Sequence, residues 1–388
     1  MPDTATTAAL PDRLEQAGLL ALFGVAGALQ FSIAAAQVFL AIAAVVWLAL
    51  LATRRVRFQA PWFFWPLLAY AAITLVSAAF STDPATSLID CKQLSLFLLV
   101  PITYTFVTNS RGLTMMTVIV SLAAISAAFG IFQYGILHYD NLGRRPQGTL
   151  GHYMTYSGLL MLVICVALAR VLFGRGERTW AALVMPALAV AVALSFGRGA
   201  MVGACVAAAL LLSLKDFRLI ALLPIVAAVS FAIAPGSITA RYMSMFDIKD
   251  PTRVDRVAML HAGRRMIAAH PFLGVGPNMV EPLYAEYRDP EAKLNPHLHN
   301  VPVQIAAERG LLALVIWLWF IAAVVIGAAK RFCAGEHRFQ AAAGLAAVAA
   351  MLAAGLFEYN FGDSEFLMLF LILVTLPFAA ERRPTRTA

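Results

Sequence analysis

The chain has 388 residues, 61% of them hydrophobic and only 13% charged, with a formal net charge of +8 and a mean hydropathy of +0.79. This is not the composition of a soluble globular protein: apolar runs of about the ~20 residues that cross a bilayer recur along nearly the whole length. The alternating apolar/polar pattern of a membrane β-barrel is absent, so the chain is expected to be an all-α polytopic membrane protein.

The first residues lack a charged region followed by a small-residue cleavage site, and no removable signal peptide is expected. The apolar stretch 17–52 is too long for one pass and is broken by polar residues at 30–32, which divides it into two spans. Further spans are expected near 61–81, 93–108, 112–137, 155–173, 180–195, 199–214, 219–236, 310–328, 339–357 and 366–380, about twelve in all. The four cysteines, Cys91, Cys165, Cys205 and Cys333, are scattered without metal-binding spacing and read as small core residues.

Arginines orient the chain. With both termini in the cytoplasm, "TRRVR" (53–57), "ARVLFGRGER" (169–178), "KDFR" (215–218), "KRFCAGEHR" (330–338) and "RRPTR" (382–386) all fall inside. The acidic turn "EYNFGDSE" (358–365) then falls outside. Topology accounts for much of the net charge, and no nucleic-acid partner is needed to explain it.

Some cations nevertheless fall on the outer side. Arg144 and Arg145 stand before one span, and Arg198 sits in the turn "SFGRGAM" between two others. The segment 237–309 carries nine basic residues: Arg241, Lys249, Arg253, Arg256, Arg264, Arg265, Arg288, Lys293 and Arg309. Arginines kept there against the topological bias call for anionic partners; for most of them the eight acidic residues of the same segment suffice.

That segment is the only extramembrane piece large enough to fold, which divides the chain into 1–236, 237–309 and 310–388. "PTRVDRVAMLHAGRRMIAAHP" reads as a helix closed by Pro271, with Arg253, Arg256 and Arg264 on one face while Arg265 and Asp255 look elsewhere. A turn-rich "PFLGVGPN" and a short helical piece "MVEPLYAEYR" follow. "NPHLHN" (295–300) then precedes a helical pattern running straight into the span at 310–328, with Asn300 or a neighbour as its cap. His299 therefore sits beside a helix N-terminus, which disfavours imidazolium and keeps the ring neutral, as a general base requires. Periodicity does not choose between His297 and His299.

Four stretches together resemble the O-antigen ligase and polymerase superfamily. "RRPQGTLGHYMTYSGLL" is similar to its Arg-x-x-Gly-Thr segment, and "SFGRGAMVG" to its Ser-x-x-Arg-Gly turn. "RVAMLHAGRRMIAAHPFLGVGPN" is similar to its Arg-led helix ending in His-Pro-x-x-Gly-x-Gly. "HNVPVQIAAERGLLALVIWL" resembles its His-Asn, Glu-x-Gly signature, although Leu312 or Ala313 replaces the second glycine. The matches keep the family's order from residue 144 to about 316.

The resemblance implies a bacterial inner-membrane glycosyltransferase with its active site on the periplasmic side, working without metal or other cofactor. The donor would be O-antigen glycan on undecaprenyl diphosphate, and the acceptor a hydroxyl of lipid A–core oligosaccharide. It also implies His299 as base, with Arg198, Arg256, Arg145 and Arg265 as the diphosphate contacts; Arg144 and Arg264 are adjacent rivals. The alternatives are an O-antigen polymerase sharing the donor, a protein O-oligosaccharyltransferase, or, in a different class, a lipid-linked glycan flippase. A flippase would be expected to show repeated halves and mid-span charges, which the sequence lacks.

Overall fold

The computed structural model describes residues 13–141, 143–234, 236–243, 251–335 and 337–381. Lys249 and the "RRPTR" tail lie outside the described residues, as do the side chains of Arg241 and Arg253. Every regular element among the described residues is helical.

The chain opens with a helical hairpin, α1 (Arg13–Ala28) and α2 (Ile33–Ala52). Its turn falls at the polar break, where Ser32 caps α2 by accepting from the Ala35 N–H at 3.3 Å. After α3 (Phe64–Ala79) comes a compound pass: α4 (Pro84–Asp90), a 3₁₀ stretch Cys91–Leu98, and α5 (Leu99–Phe106). The expected single helix over 93–108 is therefore two windings joined. The Gln93 amide on the 3₁₀ stretch donates to the Gly362 carbonyl, and Asp90 faces Arg309 at 3.6 Å.

The next four helices are α6 (Asn109–Gly135), α7 (Tyr153–Phe173), α8 (Arg178–Leu194) and α9 (Arg198–Lys215). Then come a short 3₁₀ turn, α10 (Leu222–Ile233), and the loop helices α11 (Gly236–Met243), α12 (Pro251–Ala269) and α13 (Val280–Tyr287). The chain ends in α14 (Val301–Ala334), α15 (Arg338–Ala354) and α16 (Ser364–Ala379). Among the described residues, six segments are long and apolar enough to cross a membrane, and five shorter apolar helices accompany them.

Helices α7, α15 and α16 are buried along most of their length and form the centre of the bundle. The small residues of "AAAGLAAVAAMLAAG" serve that packing: α15 lies against α7, α9, α14 and α16. Close approach of backbones replaces the hydrophobic drive that lipid does not supply. The peripheral helices turn large apolar side chains outward, among them Val45 on α2, Leu183 on α8 and Val315 on α14. An exposed apolar belt of this kind is suited to hydrocarbon, not water.

The loop helices have a small core of their own, built from Met259, Met266, Val275, Tyr284 and Leu298. A break in α14 ties this core to the bundle. Contrary to the sequence expectation, the helix that starts at Val301 does not run straight on: Gly310 leaves helical geometry at φ 82°, ψ 170°. The turn after Pro271 fills the gap. Val275 and Gly276 donate to the carbonyls of Ala307 and Glu308, each at 2.9 Å, and Leu311 donates to the Pro271 carbonyl at 2.8 Å. A Cβ on Gly310 would lie 2.0 Å from the Phe272 carbonyl oxygen, so only glycine fits both the backbone angles and the contact.

Candidate active site

Where the loop core meets the bundle there is a cavity of about 500 Å³. Its wall includes His152, Tyr153, His297, His299, Glu358 and Asp363. Its lining comes from the end of α4 and the 3₁₀ stretch after it, the α6–α7 loop and the start of α7, the turn before α13, the segment before α14, α14 at Glu308, and the α15–α16 connection.

His299 is held by its neighbours. On one side, the Leu298 N–H donates to Gln304 Oε1 at 2.7 Å while the leucine side chain enters the loop core. On the other side Asn300 caps α14, accepting from the Val303 N–H at 3.0 Å. Its amide also donates to the Leu356 carbonyl at 3.1 Å, and the Val301 N–H reaches the Gly355 carbonyl at 2.7 Å. His299 is left with φ 49°, in the left-handed region at a typical cost of ~1–2 kcal/mol. This conformation, pinned on both sides, places the imidazole on the cavity wall.

The ring is neutral, as expected, but chiefly for a different reason. Burial is the largest influence lowering its pKa, to about 4, followed by the charges of Arg256 and His297. His297 also lines the cavity, with its ring 6.4 Å from that of His299 and 5.8 Å from that of Tyr359. It is the more exposed of the two, so burial distinguishes two residues that sequence spacing did not.

Three of the four sequence-predicted arginines lie close to this cavity without lining it. Arg145 stacks over the Tyr153 ring at 4.2 Å. Its loop is fixed by buried Gln133, which accepts from the N–H groups of Gln147 and Gly148 at 3.0 and 2.9 Å and donates to the Gly148 carbonyl at 2.7 Å. Arg198 is the first residue of α9, after a turn in which Phe196 takes φ 53°. Arg256 lies over the Phe357 ring at 5.8 Å. The charges of Arg145, Arg256 and Arg198 all reach the Tyr153 hydroxyl. Arg144, the neighbour of Arg145, stacks instead on Tyr139 at 4.9 Å.

Arg265 is not brought to this cavity. Nine residues beyond Arg256, it projects from the opposite side of α12. There it pairs with Asp289 and donates to the Tyr287 carbonyl at 2.7 Å. The same carboxylate faces His261 at 3.2 Å. Pairing within the loop, expected for most of these cations, also holds for Lys293 with Asp255 at 3.6 Å and for Arg309 with Glu308.

Sequence reasoning missed Glu358. It lies in the acidic turn assigned to topology, yet it is buried and accepts a hydrogen bond from the Gly199 N–H at the start of α9. Burial raises its carboxyl to about 7, against the pull of Arg256, the Gly199 N–H and Arg145, with Asp363 adding to the rise. Asp363 itself caps α16, accepting from the Phe366 N–H at 3.0 Å, and takes the Thr155 hydroxyl bond. The sequence signal for both residues was the acidic turn before α16; the partners that bring them to the site, Gly199 and Thr155, lie more than a hundred residues away. Among the described residues no group of three or more His, Cys, Asp or Glu is placed to hold a metal ion.

Fold and site define a class: a polytopic helical membrane protein with a cavity lined by histidines and carboxylates, and arginines close behind them, at one end of its bundle. Residues 183–318 match the family model described as O-antigen ligase, which bears out the resemblance read from the sequence. The match contains Arg198, Arg256 and His299; Arg145 and Glu358 lie outside it. No curated protein matches the chain.

Proposed function

We propose that the protein is an inverting, metal-independent O-antigen ligase, moving glycan from undecaprenyl diphosphate to a hydroxyl of lipid A–core oligosaccharide on the periplasmic face of the inner membrane. On this reading about twelve passes cross the membrane, both termini are cytoplasmic, and the 237–309 segment faces the periplasm. The observation that carries the reading is that His299 and Tyr153 line one cavity while the charges of Arg145, Arg198 and Arg256, from three separate parts of the chain, reach that Tyr153 hydroxyl, and Arg256 reaches His299 as well.

Glycosyl transfer from a diphosphate breaks the anomeric C–O bond through an oxocarbenium-like transition state. The leaving lipid diphosphate is a stable anion and needs no proton. It needs positive charge where negative charge accumulates, which Arg145, Arg198 and Arg256 supply in a poorly solvated setting. His299 accepts the proton of the attacking hydroxyl as that oxygen bonds to the anomeric carbon. One displacement inverts the configuration. The resting ring is a weak base, but the incoming diphosphate offsets Arg256, the charged group that most depresses it, so donor binding activates the base.

Arg265 takes a positioning role, fastening Asp289 and Tyr287 in the segment that leads to His299. The test is transfer in vitro: purified protein, lipid-linked O-antigen and lipid A–core, followed on a gel for laddered product. Rescue of a ligase-null strain, but not of a polymerase-null strain, separates this acceptor from a second lipid-linked glycan.

A further inference from the structure

A second cavity, of about 860 Å³, lies at the other end of the bundle. Helix α7 connects the two: Tyr153 lines the first and Phe173 the second. The 21 residues of α7 separate them by roughly 30 Å. The reaction proposed above uses none of the groups at this far end.

Its lining is cationic. Arg170, Arg175, Arg178, Lys215 and Arg338 contribute five positive charges, and Glu177 is the one carboxylate among the described lining residues. Glu177 is taken by Arg170, which is itself buried. The other cations meet no carboxylate within ion-pair distance among the described residues. Arg178 donates to the Val171 carbonyl at 2.8 and 2.6 Å and Lys215 to the Leu172 carbonyl at 3.1 Å, both at the C-terminal end of α7. Arg338 lies over the rings of Phe332 and Phe173 at 4.6 and 5.7 Å.

The rest of the wall is apolar, including Leu113, Val118, Phe173 and Phe339. Beside the mouth, exposed Trp180 at the start of α8 donates its indole N–H to Ser121 at 3.0 Å. Exposed Leu183 follows one turn later. An amphipathic Trp followed by outward apolar residues marks the headgroup level of a bilayer. Topology alone requires cations in loops; it does not require them to converge on a cavity with aromatic walls at that depth.

We infer that this cavity binds an anionic phospholipid, with the phosphodiester held by Arg175, Arg178, Lys215 and Arg338 and the first methylenes of the acyl chains against Phe173 and Phe339. Phosphate suits guanidinium groups, the volume suits a headgroup-sized ligand, and basic pockets between spans on the arginine-rich side favour acidic lipids. The lipid would link the α7–α8 and α14–α15 loops, whose helices continue to the cavity at the other end.

The test titrates delipidated full-length protein with phosphatidylglycerol or phosphatidylcholine and counts bound lipids by native mass spectrometry. Phosphatidylglycerol should be retained preferentially, and the preference should fall about tenfold in Arg175→Gln/Arg338→Gln. Arg175→Gln alone, in an exposed loop, should give a smaller fall if the double variant does not fold. Arg218→Gln, at the same end but outside the cavity, should leave the preference unchanged. Equal retention of the two lipids, or equal loss in Arg218→Gln, would overturn the site. Displacement of the lipid by millimolar inorganic phosphate would assign the pocket to a soluble anion and overturn the lipid proposal.

Discussion

Glu358 accepts the backbone N–H of Gly199, the residue that follows Arg198, so the α15–α16 connection is fastened to the first turn of α9. The contact is close: a Cβ on Gly199 would lie 2.7 Å from the Glu358 carboxyl carbon. The carboxyl thereby sits among the cations assigned to the donor diphosphate. Its charge sets how much positive field the cavity presents.

The first expectation concerns pH. Glu358 is raised to about 7 and His299 lowered to about 4, so of these two it is Glu358 that changes charge in the neutral range. Below 7 the carboxyl is neutral and the arginines are uncompensated; above 7 its charge offsets them. The KM for the lipid-linked donor should rise several-fold from about pH 6 to pH 8, and Glu358→Gln should flatten that rise. A profile identical in the variant would remove Glu358 from the site.

Stability carries the same sign. The folded-state pKa is raised from 4.5 to about 7, so the contribution is fully present below 4.5 and is lost as pH rises through 7. At alkaline pH the buried carboxylate costs at most ~3 kcal/mol. Thermal unfolding of the wild type should therefore fall relative to Glu358→Gln as pH rises from about 6 to 8. Parallel curves would contradict this.

The arginines should separate by position. Arg256→Ala should lower kcat/KM by ~10²–10³, and Arg198→Lys, which keeps charge but loses the guanidinium fork, should still lose most activity. Arg265→Ala should reduce transfer modestly, and Arg265→Lys, able to keep the Asp289 pair, should recover it. Kinetic assay of the purified variants decides; equal losses at Arg265 and Arg256 would contradict the geometry.

Gly310→Ala should be a folding mutation. The φ of 82° and the 2.0 Å approach to the Phe272 carbonyl combine backbone strain with a clash against main chain, typically several kcal/mol together. Fluorescence-detected size exclusion should show little monodisperse protein. A well-folded, active Gly310→Ala would mean the break in α14 is dispensable.

Local physics made much of this legible in the chain. The turn at 30–32, the Pro271 stop after α12 and the Asn300 cap of α14 are each set by a few adjacent residues. Three of the arginines set against the topological bias, Arg145, Arg198 and Arg256, lie near the His299 cavity. Burial and long-range partners were not legible. Helix-dipole reasoning kept His299 neutral, but the larger influence is burial in a cavity made by segments as far apart in the chain as Asp90 and Phe366. Arg265 followed the family pattern and was captured by Asp289, a residue in the next turn-rich segment. Glu358 looked like a solvated acid because its partner, Gly199, offers only a backbone N–H. The break at Gly310 follows from a hydrogen-bond exchange with residues 271–276, which no periodicity within α14 reveals.

The most direct measurement is glycan transfer by His299→Ala beside the wild type, reconstituted with lipid-linked O-antigen and lipid A–core in the presence of EDTA. The wild type should build a ladder under chelation. The variant, inserted and monodisperse, should fall by at least ~10²-fold. A near-normal ladder from the variant would contradict the role of His299, and loss of the wild-type ladder on chelation would contradict transfer carried by arginines.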